Sequence, residues 1–287
     1  MGSNLKSESG SKEALEGLFD HLWQDYIRSN PQAKRIYDLI LKREQTVNPG
    51  TKALTNDHIA LRTYDLPLVG IEALAKHFRN LGYEQGGEYF FEQKKLYARH
   101  YQHRDPSMPK IFISELELAK CSPFVREVAQ RCVASVSDSL VSQPEILWAG
   151  RLWPADHATY EKLLAESEYA AWLYAFGFRA NHFTVSFNDL KSFKELTELN
   201  DFLRGSGFAL NTSGGEIKGN PGELLEQSST LAEKTKVQFG DGVFEIPSCY
   251  YEFARRYAGQ SGDLYQGFIA ASADKIFEST NVASHRG

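Results

Sequence analysis

A strand-like run with a histidine at its head occurs twice in this chain. His58 opens HIALRTY at 58–64, and His182 stands at the head of NHFTVSFN at 181–188. The two histidines are 182 − 58 = 124 residues apart. A helix-like stretch follows each run, and each stretch ends on a glycine and an aromatic residue. These endings are Leu81-Gly82-Tyr83 and Ser206-Gly207-Phe208, and they keep the same offset to within one residue. Repetition constrains architecture strongly, because a supersecondary unit that cannot close its own core must pack on a copy of itself.

The repeated unit reads as β-α-β-β-β. His58–Tyr64 alternates and is β-branched, as a strand should be. Leu68–Leu81 is an amphipathic helix stopped by Gly82, and Tyr89–Glu92, Leu96–Tyr101 and Ile111–Leu118 are strand-like. In the second unit, Asn181–Asn188 is the first strand and Phe193–Leu203 the helix. Phe208–Asn211, Lys236–Phe239 and Ser248–Ala254 are its later strands. Before the first unit, Leu15, Leu18, Leu22 and Tyr26, then Ile36, Leu39 and Ile40, recur at helical spacing on either side of Asn30-Pro31. Between the units, 122–176 is mostly helical, with Ser122-Pro123 as N-cap and first helical residue.

The expected fold is α+β: two paired βαβββ modules forming a half-open β cradle, with helical N-terminal and central cap segments. Residues 1–10 are polar and read as a disordered tail, and 11–287 as a single catalytic domain. Within it, 11–50 is a helical cap, 51–120 the first module, 121–180 a helical insertion, 181–260 the second module and 261–287 a C-terminal segment.

Composition narrows the function classes. Hydrophobic residues at 42% and charged residues at 24% suffice for a globular core. No run approaches the ~18 apolar residues of a membrane span, and the leading MGSNLKSESGSKEALEG lacks a signal peptide's apolar stretch. A net charge of −5 argues against nucleic acid as a partner. Cys121, Cys132 and Cys249 are an odd, widely spaced set, so a reducing, cytoplasmic setting is expected. No feature indicates an oligomeric state.

If the modules pair about a pseudo-twofold, their first strands face each other and the imidazoles of His58 and His182 converge. Imidazole suits Fe(II), Mn(II), Zn and Ni. Glu252 interrupts the aromatic run Ser248–Ala254, and an inward carboxylate is costly unless paired or metal-bound. Two histidines and one carboxylate with open positions form the facial triad of non-haem Fe(II) oxygenases. Glu245 is the rival third ligand, and Glu115 and Glu117, the first module's acidic counterparts, read as an exposed polar strand face. His100 and His103 read as a solvated rim. His157, His21, His77 and His285 offer no clear site. Arg255 and Arg256 alternate in facing and read as a solvated strand end, or one of them as a residue that orients the carboxylate.

HIALRTY, NHFTVSF and IPSCYYEFARR resemble the ligand strands of the vicinal oxygen chelate superfamily. Together with QSSTLAEKTKVQF they resemble, over about 12–278, the 2-oxoadipate dioxygenase/decarboxylase (hydroxyglutarate synthase) family. That resemblance implies His58, His182 and Glu252 as ligands of Fe(II), and Arg62 as the residue that grips a substrate carboxylate. On a strand, residues 58 and 62 share a face. It also implies oxidative decarboxylation of 2-oxoadipate by O2 to 2-hydroxyglutarate and CO2, and with it a place in lysine catabolism. The polar cluster Gln227-Ser228-Ser229-Thr230 reads as a helix cap or loop, or as a substrate contact through Ser228. Alternatives left open are extradiol or glyoxalase-like chemistry, a metal-free binding module, and a hydrolase built on His157 or on His100 and His103.

Overall fold

The structure, a computed structural model, describes residues 2–280, with side chains from residue 12 onward. It opens with α1 (Gly2–Ser29) and α2 (Pro31–Val47). Pro31 begins α2, where a missing N–H leaves nothing unsatisfied. α1 starts inside the stretch expected to be disordered, because a nucleated helix propagates at one hydrogen bond per residue. His285 lies outside the described residues.

The first module is β1 (Asn56–Tyr64), α3 (Ile71–Arg79), β2 (Tyr83–Phe91), β3 (Leu96–His103) and β4 (Lys110–Leu116). The insertion holds α4 (Pro123–Val133), α5 (Asp138–Val141), α6 (His157–Glu166) and α7 (Glu168–Phe176). Ser122 caps α4 by accepting from Val125 N–H. The second module is β5 (Ala180–Ser186), α8 (Leu196–Gly205), β6 (Lys218–Asn220) and β7 (Leu225–Ser229), then the hairpin β8 (Lys234–Phe239) and β9 (Gly242–Pro247), then β10 (Tyr250–Arg256). α9 (Ala270–Phe277) follows.

Eight strands form one curled sheet in the order β2-β3-β4-β1-β5-β10-β7-β6. β1 pairs with β4 in parallel, as β5 does with β10, and the outer neighbours are antiparallel in both halves. α3 and α8 start at Ile71 and Leu196, 196 − 71 = 125 residues apart. Gly82 (φ +97°) and Gly207 (φ +89°) hold the same left-handed place after them. The repeat is therefore real. Its first strands do not face each other across the cradle, however. β1 and β5 are hydrogen-bonded antiparallel neighbours at the sheet centre, with the pseudo-twofold between them.

The outer face is covered by α1, where Trp23 and Tyr26 pack on Phe183. The concave face is covered by α9, which touches β2 and β6, the two edge strands, and so bars the mouth of the cradle. This helix falls in the expected C-terminal segment, where Ile269, Ala273, Ile276 and Phe277 recur at helical spacing.

Three expected elements differ. Gln227–Ser229 is a buried strand rather than a cap or loop; it lacks apolar alternation, and Gln227 Nε2 and the Ser228 and Ser229 hydroxyls bond to other buried polar groups. Lys236–Phe239 belongs to the β8–β9 hairpin, outside the main sheet. Phe208–Asn211 makes a single bridge, Leu210 to Thr230. All three cysteines are free and buried. Among the described residues no helix is long and apolar enough to cross a membrane.

Candidate metal centre

Register alone brings the three candidate ligands together. β1 and β5 pair His58 with Thr184 and Ala60 with His182, so the histidines lie diagonally across the central strands on the concave face. β10 runs beside β5, with Tyr250 opposite His182 and Glu252 opposite Thr184. Glu252 thereby reaches both imidazoles. His182 Nε2 is 3.2 Å from Glu252 Oε2, and His58 Nε2 is 3.6 Å from Oε1. One potential ligand atom from each residue lies within 4.8 Å of the others. Ligand atoms each about 2.1 Å from one ion stand about 3 Å apart at right angles, so these separations fit a single cation. All three residues are buried.

Neighbouring groups aim the donors. His58 Nδ1 lies 2.7 Å from Asp57 Oδ1, and His182 Nδ1 lies 3.2 Å from Asn181 Oδ1. An acceptor at Nδ1 places the proton there and makes Nε2 the lone-pair nitrogen a metal needs; at His58 that nitrogen also meets the Thr184 hydroxyl at 3.1 Å. Asp57 is held in turn by Arg256, whose Nε and Nη2 donate to its two oxygens at 2.6 and 2.9 Å. Burial opposes charge on Asp57, yet Arg256 and His58 hold its carboxyl well below the usual range. Arg256 is thus a buried positioning residue, not the solvated strand end expected from sequence. Arg255 does take the surface role, paired with Glu195.

Glu252 accepts from Gln227 Nε2 at 2.5 Å, while its Oε2 has no hydrogen-bond partner. Burial pushes its carboxyl up to about 6, against the pull of His58 and Gln227. Burial, then the charges of His58 and Arg62, pushes His182 well below the usual imidazole range, which keeps it neutral as a ligand must be. An orphaned buried carboxylate oxygen beside two oriented imidazoles is a donor set suited to a divalent metal.

Arg62 sits on the same strand face as His58 and is 1% exposed. Its Nη1 donates to Glu168 Oε1 at 3.1 Å, and its guanidinium lies over Tyr169, Trp172 and Phe277. Its Nε and Nη2 have no partner. That leaves one two-donor edge free, the edge that matches a carboxylate. Between the metal-ligand candidates and Phe268, Ala273, Ile276 and Phe277 lies a cavity of about 20 Å³.

Other expected residues lie elsewhere. Ser228 is turned away from the centre: strand alternation puts it on the outer face, where its hydroxyl donates to Asn200 at 2.8 Å. Gln227, one residue earlier, faces the centre instead, and only the unrecognised strand hid this. Glu245 is exposed on β9, away from the three candidate ligands. Glu115 accepts from Ile71 N–H at the start of α3, and Glu117 pairs with Lys120; neither mirrors Glu252. His100 is buried, not on a solvated rim, with Nδ1 against Tyr89 Oη at 2.8 Å. His103 meets the Leu81 carbonyl. His157 stacks on Phe244 at the start of α6, and His21 stacks on Trp148. His77 meets the Val141 carbonyl.

Residues 18–263 match the family described as 2-oxoadipate dioxygenase/decarboxylase. The chain is 32% identical to the chloroplastic 2-oxoadipate dioxygenase/decarboxylase of Arabidopsis thaliana, over 97% of this chain and 81% of that protein. The structure of hydroxyglutarate synthase from Oryza sativa in complex with 2-oxoadipate superposes with a TM-score of 0.86 at 30% identity, covering 96% of this chain and 94% of that one. A Shewanella frigidimarina protein, described provisionally as a hydrolase, superposes with a TM-score of 0.83 at 50% identity, covering 90% and 98%. Taken with the fold and the residues that line the cradle, these matches make this chain a member of the 2-oxoadipate dioxygenase/decarboxylase family.

Proposed function

We propose that this enzyme is a non-haem Fe(II)-dependent dioxygenase that converts 2-oxoadipate and O2 into 2-hydroxyglutarate and CO2. The atoms balance. The substrate's carboxyl carbon beside the keto group leaves as CO2, and the keto carbon becomes the new carboxyl. One atom of O2 enters that carboxyl and the other the hydroxyl. The substrate supplies all the electrons, so no separate reductant is needed. The observation that carries this reading is the buried His58–His182–Glu252 cluster with one unpartnered carboxylate oxygen, in a chain whose rice relative was solved with 2-oxoadipate. Fe(II) held by these three side chains would supply dioxygen activation and a Lewis acid for a 2-oxo acid.

The chain's own groups do the rest. Asp57 and Asn181 keep the Nδ1 protons of the two histidines in place. Arg62 offers its free Nε/Nη2 edge to a substrate carboxylate, which fixes the reacting end by holding the far one. Phe112, Phe268 and Phe277 keep water from the centre. Three free thiols suit a reducing compartment, cytoplasmic or its equivalent.

The test is anaerobic loading with Fe(II), then O2 uptake and CO2 release over a panel of 2-oxo acids. Equimolar uptake and release with 2-oxoadipate is expected. Arg62→Lys, which keeps the charge but loses the fork, should lower kcat/KM about tenfold or more. Oxygen uptake without CO2 release would overturn the reaction and point to extradiol-type chemistry. No turnover under any metal would overturn the oxygenase reading altogether.

A further inference from the structure

Tyr250 carries a hydroxyl that the fold does not use. The residue is fully buried, and its Oη has no hydrogen-bond partner. Its carbonyl is engaged by Tyr26 Oη, and its ring lies on the His182 imidazole, centroids 4.6 Å apart and 25° from coplanar. A phenylalanine would satisfy both roles, so the oxygen needs another reason, since buried tyrosine hydroxyls usually find a partner.

Position supplies that reason. Tyr250 pairs with His182 in parallel register and so projects from the concave face. His182 pairs with Ala60, and Arg62 lies two residues further along β1 on the same face. Arg62 has two unpartnered donors of its own, Nε and Nη2. Three buried donors from two residues, none with an acceptor, therefore share one end of the cradle. Ala60, in the row of Tyr250 and His182 and next to Arg62 on that face of β1, has only a small side chain.

We propose that Tyr250 donates its hydroxyl to the same substrate carboxylate that Arg62 grips, and that this clamp makes the enzyme select 2-oxo acids with a second carboxylate over monoacids. The inference rests on the 2-oxo acid reading given above. Phenol and guanidinium together offer three donors to two carboxylate oxygens. A substrate that ended in a methyl group would leave all three without partners, and unmade buried hydrogen bonds are what drive discrimination of this kind.

The experiment is a binding measurement, so it does not depend on turnover. Wild-type protein and Tyr250→Phe are loaded anaerobically with Fe(II) and titrated calorimetrically with 2-oxoadipate and with 2-oxohexanoate. The substitution removes one oxygen and keeps the stacked ring. Unchanged Fe(II) affinity is expected, with an about tenfold loss for 2-oxoadipate, the size of one charge-assisted hydrogen bond. Affinity for 2-oxohexanoate should not change. Equal losses for both acids, or no loss for either, would overturn the proposal. A loss of Fe(II) binding would also overturn it, since the hydroxyl would then serve the centre itself. Failure of the wild type to bind any 2-oxo acid would instead strike the functional reading, and that shows before the variant is compared.

Discussion

Phe112 stands on β4 where Glu252 stands on β10. Each lies in parallel register opposite the residue two places past its module's histidine, Ala60 for Phe112 and Thr184 for Glu252. The duplicated cradle thus offers four equivalent inward positions around one point. The chain fills three with potential ligands and the fourth with a hydrocarbon ring, which borders the cavity. A three-donor set with one apolar side is what a centre needs if exogenous ligands are to share it.

Phe112→Glu should therefore restore the symmetry at the expense of function. With a fourth protein donor, a divalent metal should bind at least as tightly as in the wild type. Affinity for a 2-oxo acid should fall by about tenfold or more as its place is taken. Calorimetry with Mn(II) and then 2-oxoadipate reads both. Wild-type affinity for the acid would show that the Phe112 side is not where exogenous ligands enter.

Glu252→Gln separates metal binding from fold stability. Without metal, the wild type buries a carboxylate with a single hydrogen-bond donor, Gln227, so the neutral amide should melt no lower. Added Fe(II) or Mn(II) should stabilise only the wild type, by about 2.7 kcal/mol at one hundred times Kd. Melting curves with and without metal check this. Equal metal-induced shifts in both proteins would mean that the cation binds elsewhere.

Much of this centre is legible in the sequence because repetition carries positional information. The equivalent places of His58 and His182 follow from the offset of their runs, and Glu252 from a charge inside an aromatic strand. Polar strands are less legible. Gln227 and Ser228 carry no apolar alternation, so neither β7 nor the face each residue takes can be read, and Ser228 reads as the substrate contact although Gln227 faces the site. Arg256 reads as a strand end because its acidic partner, Asp57, is 199 residues away. Which residue of the first module stands where Glu252 stands in the second is hidden for a similar reason. Parallel β1–β4 register places Phe112 there, and no local pattern encodes register between distant strands.

The Asp57–Arg256 pair gives a prediction with two separate readouts. Arg256→Met leaves Asp57 buried without its guanidinium and should cost about 3–5 kcal/mol of stability. It also frees the carbonyls of Tyr265 and Gly267, which accept from Arg256 Nη1 and hold the segment that lays Phe268 on His58. Asp57→Asn removes the charge behind His58 and should weaken metal binding about 10–100-fold. The double variant should regain stability but not metal affinity. If it regains both, Asp57 serves the fold and not the imidazole.

His100 should make stability fall in mild acid. It is 3% exposed. Burial, then the charges of Arg256, Lys110 and His58, pushes its imidazole down to about 4. An unfolded histidine titrates near 6.5. Above that pH both states are neutral and the group contributes nothing. As pH falls below 6.5 the unfolded chain takes up a proton that the native chain refuses, so stability is lost progressively until about pH 4. By pH 5 the loss attributable to His100 should be about 2 kcal/mol. Glu252, pushed up to about 6, acts with the opposite sign: its contribution is lost as pH rises from 4.5 to 6. Comparison with His100→Gln, which keeps a polar partner for Tyr89, cancels that effect because both proteins contain Glu252. Urea unfolding of the metal-free proteins at pH 7.5 and 5.0 should show the stability gap moving by about 2 kcal/mol in favour of the variant. A gap that stays constant would mean that His100 is protonated in the fold, with its unpartnered Nε2 solvated after all.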